Sequence, residues 1–132
     1  MNPSVSIFSF GYLRSGIPSD RSADGGGFVF DCRCLPNPVY EPSLSALSGL
    51  DAEVETYFEA FPVVEEFIAA AEAIVDIALR SYRELGYERL SVAFGCTGGQ
   101  HRSVYCAERL AEHLRRQGVP VSVEHCERGV WW

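Results

Sequence analysis

Lysine is missing from this sequence. All 11 basic residues of the 132 are arginines, set against 18 Asp+Glu for a formal net charge of -7. A Walker-type phosphate loop ends in Gly-Lys-[Ser/Thr] and a Schiff-base mechanism needs an amine, so both are excluded. Binding nucleic acid through bulk charge is also disfavoured, because a phosphate backbone is neutralised by many clustered cations. Long hydrophobic runs are lacking too. Acidic or arginine residues interrupt every apolar stretch short of the roughly 18 residues that a spanning helix needs. No basic region followed by an apolar run opens the chain, so a cytoplasmic protein with no membrane contact is expected. Cysteine is present five times, an odd number, within apolar segments and without the spacing of a secreted disulfide framework, which implies reduced thiols. What remains is an ordinary globular composition, 47% hydrophobic and 12% aromatic, sufficient for one core and one domain over residues 1–132.

The pattern along the chain predicts an α/β fold: a single-domain layered sandwich with a mainly parallel sheet of about four strands, flanked by helices. Val5 to Phe10 alternates apolar residues with serine, as a strand does. Tyr12 to Gly27 reads as a loop, and Phe28 to Arg33 as a second strand stopped by Pro36 and Pro38. Asp51 is the expected N-cap of a helix over Ala52 to Phe61. Pro62 suits the first turn of a long amphipathic helix reaching Leu85, with Gly86 behind it as C-cap. Leu90 to Phe94 is then a strand, Gly95 to Arg102 a loop, Ser103 to Gln117 a helix, and Val119 to Val123 a last strand.

The chemistry concentrates in Cys96-Thr97-Gly98-Gly99-Gln100-His101-Arg102-Ser103. A strand feeding a loop that feeds a helix brings loop amides and the unpaired first-turn amides toward one point, where an anion also meets the positive end of the helix dipole. Gly98 and Gly99 allow close backbone approach, and Arg102 offers a fork for phosphate or carboxylate. Thr97, Gln100, His101 and Ser103 add donors. The plain alternative is a Thr-Gly-Gly turn linking strand to helix, with His101 and Arg102 on the surface.

Cys96 and Arg102 also stand as Cys-x5-Arg-Ser, which resembles the phosphate loop of protein tyrosine and dual-specificity phosphatases. In that reading Cys96 is the nucleophile, Arg102 the phosphate clamp, and Asp31 the acid, with Asp20 or Asp24 behind it. Gly95 replaces the histidine that usually precedes the cysteine. The bland reading of Cys96 is a small buried apolar residue. Cys32 and Cys34 form a C-x-C pair; strand alternation predicts that both pack on one face, and no metal site is expected. His113 is expected on the surface, and His125 has no evident partner. Arg80, Arg83, Arg89, Arg115 and Arg116 read as the solvated sides of helices.

Phe94 to Val104, continued by Ala107-Glu108-Arg109-Leu110-Ala111-Glu112-His113-Leu114, resembles the C-terminal domain of the RapZ-type RNase-adaptor family. Ser9-Phe10-Gly11-Tyr12, Gly16-Ile17-Pro18, Val29 to Pro38 and Ser48-Gly49-Leu50-Asp51 extend the likeness in order along nearly the whole chain. The resemblance implies an α/β domain with an anion pocket built by the Cys-Thr-Gly-Gly loop, Asp31, Arg33 and the first loop, to which Arg14 is added. It implies a regulator rather than a catalyst, one that senses an aminosugar phosphate, glucosamine 6-phosphate, without a cofactor, contacts a small regulatory RNA, and is oligomeric or bound to a partner protein. The sequence departs from the family at several points. The amino-terminal P-loop domain is absent, so a stand-alone version is expected. Val39 replaces a histidine, Ser45 replaces an arginine, and Glu124 to Trp132 replaces a basic tail, which weakens the electrostatic case for RNA. Trp131 and Trp132 are expected either to pack on the domain or to mark a contact surface.

Overall fold

The computed structural model describes residues 3–20, 22 and 25–132. Strands β1 (Ser4–Gly11) and β2 (Gly26–Asp31) are followed by helices α1 (Ala52–Glu59) and α2 (Pro62–Leu85), then strand β3 (Arg89–Cys96), helix α3 (Arg102–Arg116) and strand β4 (Val121–His125). The sheet order is β2-β3-β1-β4. Every pairing is parallel, with Ile7 opposite both Val92 and Val123. Strand ends fall one or two residues from their expected positions, and the last strand begins at Val121, beyond Pro120, whose ring has no N–H to give a ladder.

Strand alternation sorts the residues into two faces. Val5, Ile7, Leu90, Val92 and Phe94 enter one apolar core with Val64, Ile68, Val75 and Leu79 of α2 and Leu110 and Leu114 of α3. Phe30 stacks on Phe94 with ring centroids 5.3 Å apart, and burying a ring of this size contributes about 1.5–3 kcal/mol. On the other face Ser6 and Ser91 are half-buried, and Val29 and Ser122 are exposed. The helices therefore form one layer over one side of the sheet.

Helix α2 runs from Pro62 to Leu85 as its periodicity predicts, and Gly86 ends it at φ 76°, in the left-handed region that glycine enters without strain. Asp51 does stand at the N-cap of α1, but its side chain caps no helical N–H. Its Oδ2 accepts instead from the backbone N of Ser48 at 2.7 Å, closing the turn before the helix.

The topology makes one crevice. From β1 the chain crosses to β2 beyond β3, whereas from β3 it passes through α3 to β4 on the far side of β1. The loops leaving these adjacent strands diverge, and open α/β sheets bind ligands at such a switch point. Backbone bonds continue past the strand ends: Tyr12 N donates to Cys96 O at 2.8 Å, Leu13 N to Thr97 O at 3.2 Å and Cys32 N to Gly95 O at 2.7 Å. Three loops are thereby held side by side.

Candidate functional site

A cavity of about 290 Å³ opens at this crevice. Seven of the residues singled out in the sequence line it: Arg14, Cys96, Thr97, Gly98, Gln100, His101 and Arg102. Leu13, Asn37, Val39 and Trp132 complete the wall. Gly99, Ser103, Asp31 and Arg33 do not line it, and the Asp31 and Arg33 side chains are exposed.

The loop's shape depends on two glycines. Gly99 has φ 72°, and a Cβ there would stand 2.5 Å from Glu127 Cγ and 2.6 Å from Gly11 N. At Gly95 a Cβ would meet the Phe10 and Tyr12 rings at 2.4–2.7 Å. The glycine before Cys96 is thus explained by packing of those two rings against β3.

Arg102 begins α3 and is only 6% exposed. Its Nη1 donates to Arg33 O at 3.0 Å and Leu35 O at 3.1 Å, and its Nη2 reaches Thr97 Oγ1 at 3.4 Å. Its Nε is the one buried side-chain N or O among the described residues without a partner. No carboxylate pairs with it among the described residues. An isolated buried charge is costly, and a buried donor without an acceptor adds to the cost. Among the described residues the backbone N–H groups of Gly98 to Arg102 also donate to no protein acceptor. Amides, helix terminus and guanidinium together leave donors and positive charge uncompensated at this cavity.

Two of the expected ligand donors are occupied otherwise. Gln100 Nε2 donates to Leu47 O at 2.8 Å, and His101 Nε2 lies 3.1 Å from Leu44 O, so both hold the 44–47 turn against the loop. Burial pushes the His101 pKa down, favouring a neutral ring that donates from Nε2. Asp31 and Arg33 form an ion pair at 2.7 Å, with the guanidinium 4.0 Å over the Tyr12 ring. The Arg33 bonds hold the Asp31 carboxyl below its usual pKa. Asp20 accepts from Ser22 N at 2.8 Å and from Ser22 Oγ, bonds that likewise hold its carboxyl low. Asp24 lies outside the described residues. Cys96, 3% exposed, donates through Sγ to Ser103 Oγ at 3.2 Å.

The two cysteines of the C-x-C pair part company: Cys32 is buried and Cys34 exposed. The strand ends at Asp31, so its alternation no longer applies. A hydrogen bond with Cys106, and then burial, push the Cys32 thiol well above its ordinary range. His113 is no free surface residue either, since its ring lies between Glu72, at 3.5 Å, and Asp76, at 3.0 Å. His125 has two partners, Ser9 Oγ at 2.6 Å and Glu108 at 2.8 Å.

The segment from Glu127 to Trp132 carries the contacts that sequence reasoning missed. Glu127 accepts from Gly11 N and Ser15 N at 3.0 Å each and from Ser15 Oγ at 2.8 Å. Arg14 Nη1 donates to Val130 O at 3.1 Å, and Trp131 Nε1 to Gly99 O at 2.9 Å. Trp132 N donates to Gln100 Oε1 at 3.4 Å. Only the pair of tryptophans hinted at a packed segment, and nothing in their spacing named a partner.

These features define a parallel α/β domain with a donor-lined cavity at its topological switch point. The sequence model of the RapZ C-terminal domain matches residues 3–129, and the chain belongs to that family. It is 51% identical over 122 residues, 92% of its length, to a protein of Thermotoga petrophila named nucleotide-binding protein. It is 50% identical over 119 residues, 90% of its length, to one of the same name from Alkalilimnicola ehrlichii. In Bifidobacterium adolescentis such a protein is 48% identical over 120 residues, 91% of this chain. The matched regions cover 41%, 39% and 37% of those three relatives, so the chain spans about two-fifths of their length. Among the described residues no helix is long and apolar enough to cross a membrane.

Proposed function

We propose that this domain is a regulatory binding module that takes the phosphate of a phosphorylated small molecule, or an inorganic anion, into the Cys96 to Ser103 cradle. The observation that carries the reading is Arg102, buried in the cavity wall with an unpartnered Nε and no carboxylate to neutralise it. A phosphate oxygen would accept from the guanidinium Nη2, whose one contact is Thr97 Oγ1 at 3.4 Å, and from the free loop amides at once. Glucosamine 6-phosphate is the first candidate, because the family likeness brings it. Its phosphate suits the cradle, but its ammonium group finds no carboxylate in the cavity wall, since Asp31 is paired with Arg33.

Binding is favoured over phosphomonoester hydrolysis. A hydrolase needs a protonated acid beside the leaving oxygen, and the carboxyls of Asp31 and Asp20 are both held low. An RNA tether has less support still, given a net charge of -7. The reading is tested by thermal stability in rising concentrations of inorganic phosphate, sulfate and glucosamine 6-phosphate. A saturable rise in melting temperature is expected for at least one of them, and it disappears in Arg102→Ala. If no anion stabilises the folded wild type, the binding model is wrong. Release of phosphate from an aryl phosphate, lost in Cys96→Ser, would restore the hydrolase.

A further inference from the structure

Helix α2 carries two apolar rows, and the core uses only one of them. Val64, Ile68, Ala71, Val75 and Leu79 are buried in the core. Val63, Phe67, Ala70, Ile74, Ile77 and Leu85 run down an adjoining side of the same helix. At 3.6 residues per turn they lie within about 40° of one line, roughly 110° from the buried row. Val63, Ile74, Ile77 and Leu85 are between 40% and 59% exposed. Apolar residues scattered singly on a surface are ordinary, whereas a contiguous row along a 24-residue helix marks a contact surface.

No charge interrupts this row, and Ser81 is its one polar member. The charges of α2 that meet α3 stand on the opposite side, where Glu65 pairs with Arg109, and Glu72 and Asp76 with His113. The row instead borders β2, an edge strand of the sheet. There the Phe30 and Phe67 ring centroids are 6.5 Å apart, and Phe28 stacks on Phe30.

The spacing fixes what fits against the row. Steps of four and three residues are those of a seam between paired helices. The row is also symmetric, with Val63 and Leu85 equally far on either side of Ile74, and Phe67 and Ser81 likewise. Laid antiparallel on its own copy, with Ile74 at the two-fold axis, the helix sets each bulky Phe67 against a small Ser81 and each Ala70 beside an Ile77. Large residues facing small ones let two helices interdigitate, and a self-complementary patch closes as a dimer. A parallel pair would face ring with ring and hydroxyl with hydroxyl. The flanking charges agree. Glu66 and Arg80 have no ion-pair partner among the described residues, and antiparallel pairing brings Glu66 of one copy within a turn of Arg80 of the other. Parallel pairing would set each against its own like charge.

We infer that the exposed row of α2, with the β2 edge beside it, is a self-association surface on which two copies of this chain pair antiparallel about Ile74. This surface is separate from the anion site, and neither reading depends on the other.

Sedimentation velocity over a range of concentrations is expected to show a monomer–dimer equilibrium. Ile74→Glu and Ile77→Glu, both at exposed positions, each weaken it at least about tenfold while the circular dichroism stays that of wild type. Cross-linking reads the orientation. In a Cys34→Ser background, mild oxidation links Ile74→Cys into a covalent dimer and leaves Ser81→Cys unlinked, because antiparallel pairing holds the two copies of position 81 about 20 Å apart along the helices. A chain that stays monomeric up to millimolar concentration overturns the inference. So does a dimer that survives both glutamate variants, or one that cross-links through Ser81→Cys and not through Ile74→Cys.

Discussion

The larger cavity of this domain and its better candidate site are in different places, and the distribution of charge separates them. A cleft of about 670 Å³ lies between α1, α2 and α3, and the cavity at the carboxyl ends of β1 and β3 has less than half that volume. In the helical cleft the charges answer one another: Arg109 pairs with Glu65, Arg116 with Glu112, and His113 with Glu72 and Asp76. At the sheet end Arg102 is the more deeply buried cation, and it has carbonyls and a hydroxyl but no carboxylate. With Glu55 and Glu59 added to its wall, the helical cleft has both arginines paired and an excess of carboxylates, so it has little to offer an anion. A site that keeps a desolvated positive charge uncompensated gains when an anion arrives.

The largest effect that tests this contrast is steric. Gly99→Ala places a methyl group against Glu127 and the backbone of Phe10 and Gly11 at a positive φ, and is expected to cost about 3 kcal/mol in urea unfolding together with anion binding. Next comes Arg102→Met, which keeps the length and removes the charge. The ligand-free stability is expected to fall by no more than about 1–3 kcal/mol, the cost of leaving the Arg33 and Leu35 carbonyls without their donor. The phosphate-dependent rise in melting temperature is lost in this variant. A larger loss of ligand-free stability would mean that Arg102 serves the fold and not a ligand.

A smaller effect concerns pH. The folded-state pKa of His101 lies below its ordinary 6.5, so below that pH the unfolded chain binds the proton first. Its contribution is therefore full above pH 6.5 and declines as the pH falls toward the folded value. Lowering the pH from 7.5 to 5.5 should reduce the melting temperature less in His101→Gln than in wild type; equal slopes would contradict the assignment. The smallest effect belongs to the helical cleft. Glu65→Gln breaks a pair whose carboxylate is 62% exposed, and is expected to cost about 0.5 kcal/mol and to leave phosphate affinity unchanged.

The same two regions differ in how legible they were in the sequence. Local periodicity and proline or glycine punctuation located α2 from Pro62 to Leu85, placed α3 within one residue, and put the anion loop between β3 and α3. Those signals act over a few residues and survive without tertiary context. Contacts between distant segments leave no such trace. Gln100 and His101 advertise ligand chemistry by their type, yet carbonyls more than fifty residues away claim them. The Asp31 and Arg33 pair, the Glu127 clamp on Gly11 and the enclosure of His113 between two carboxylates likewise depend on how the chain turns or folds back. Cys32 and Cys34 show the limit of alternation, which still holds at Cys32 and fails at Cys34, three residues past the end of the strand that carries it.

The central claim is that an uncompensated Arg102 holds an anion at the sheet end. Calorimetric titration of inorganic phosphate into wild type and Arg102→Met, both first shown to be folded by circular dichroism, tests it most directly. Saturable binding in wild type, weakened at least about tenfold in the variant, is the expected result. Equal affinity in the two proteins, or none in wild type, would contradict it.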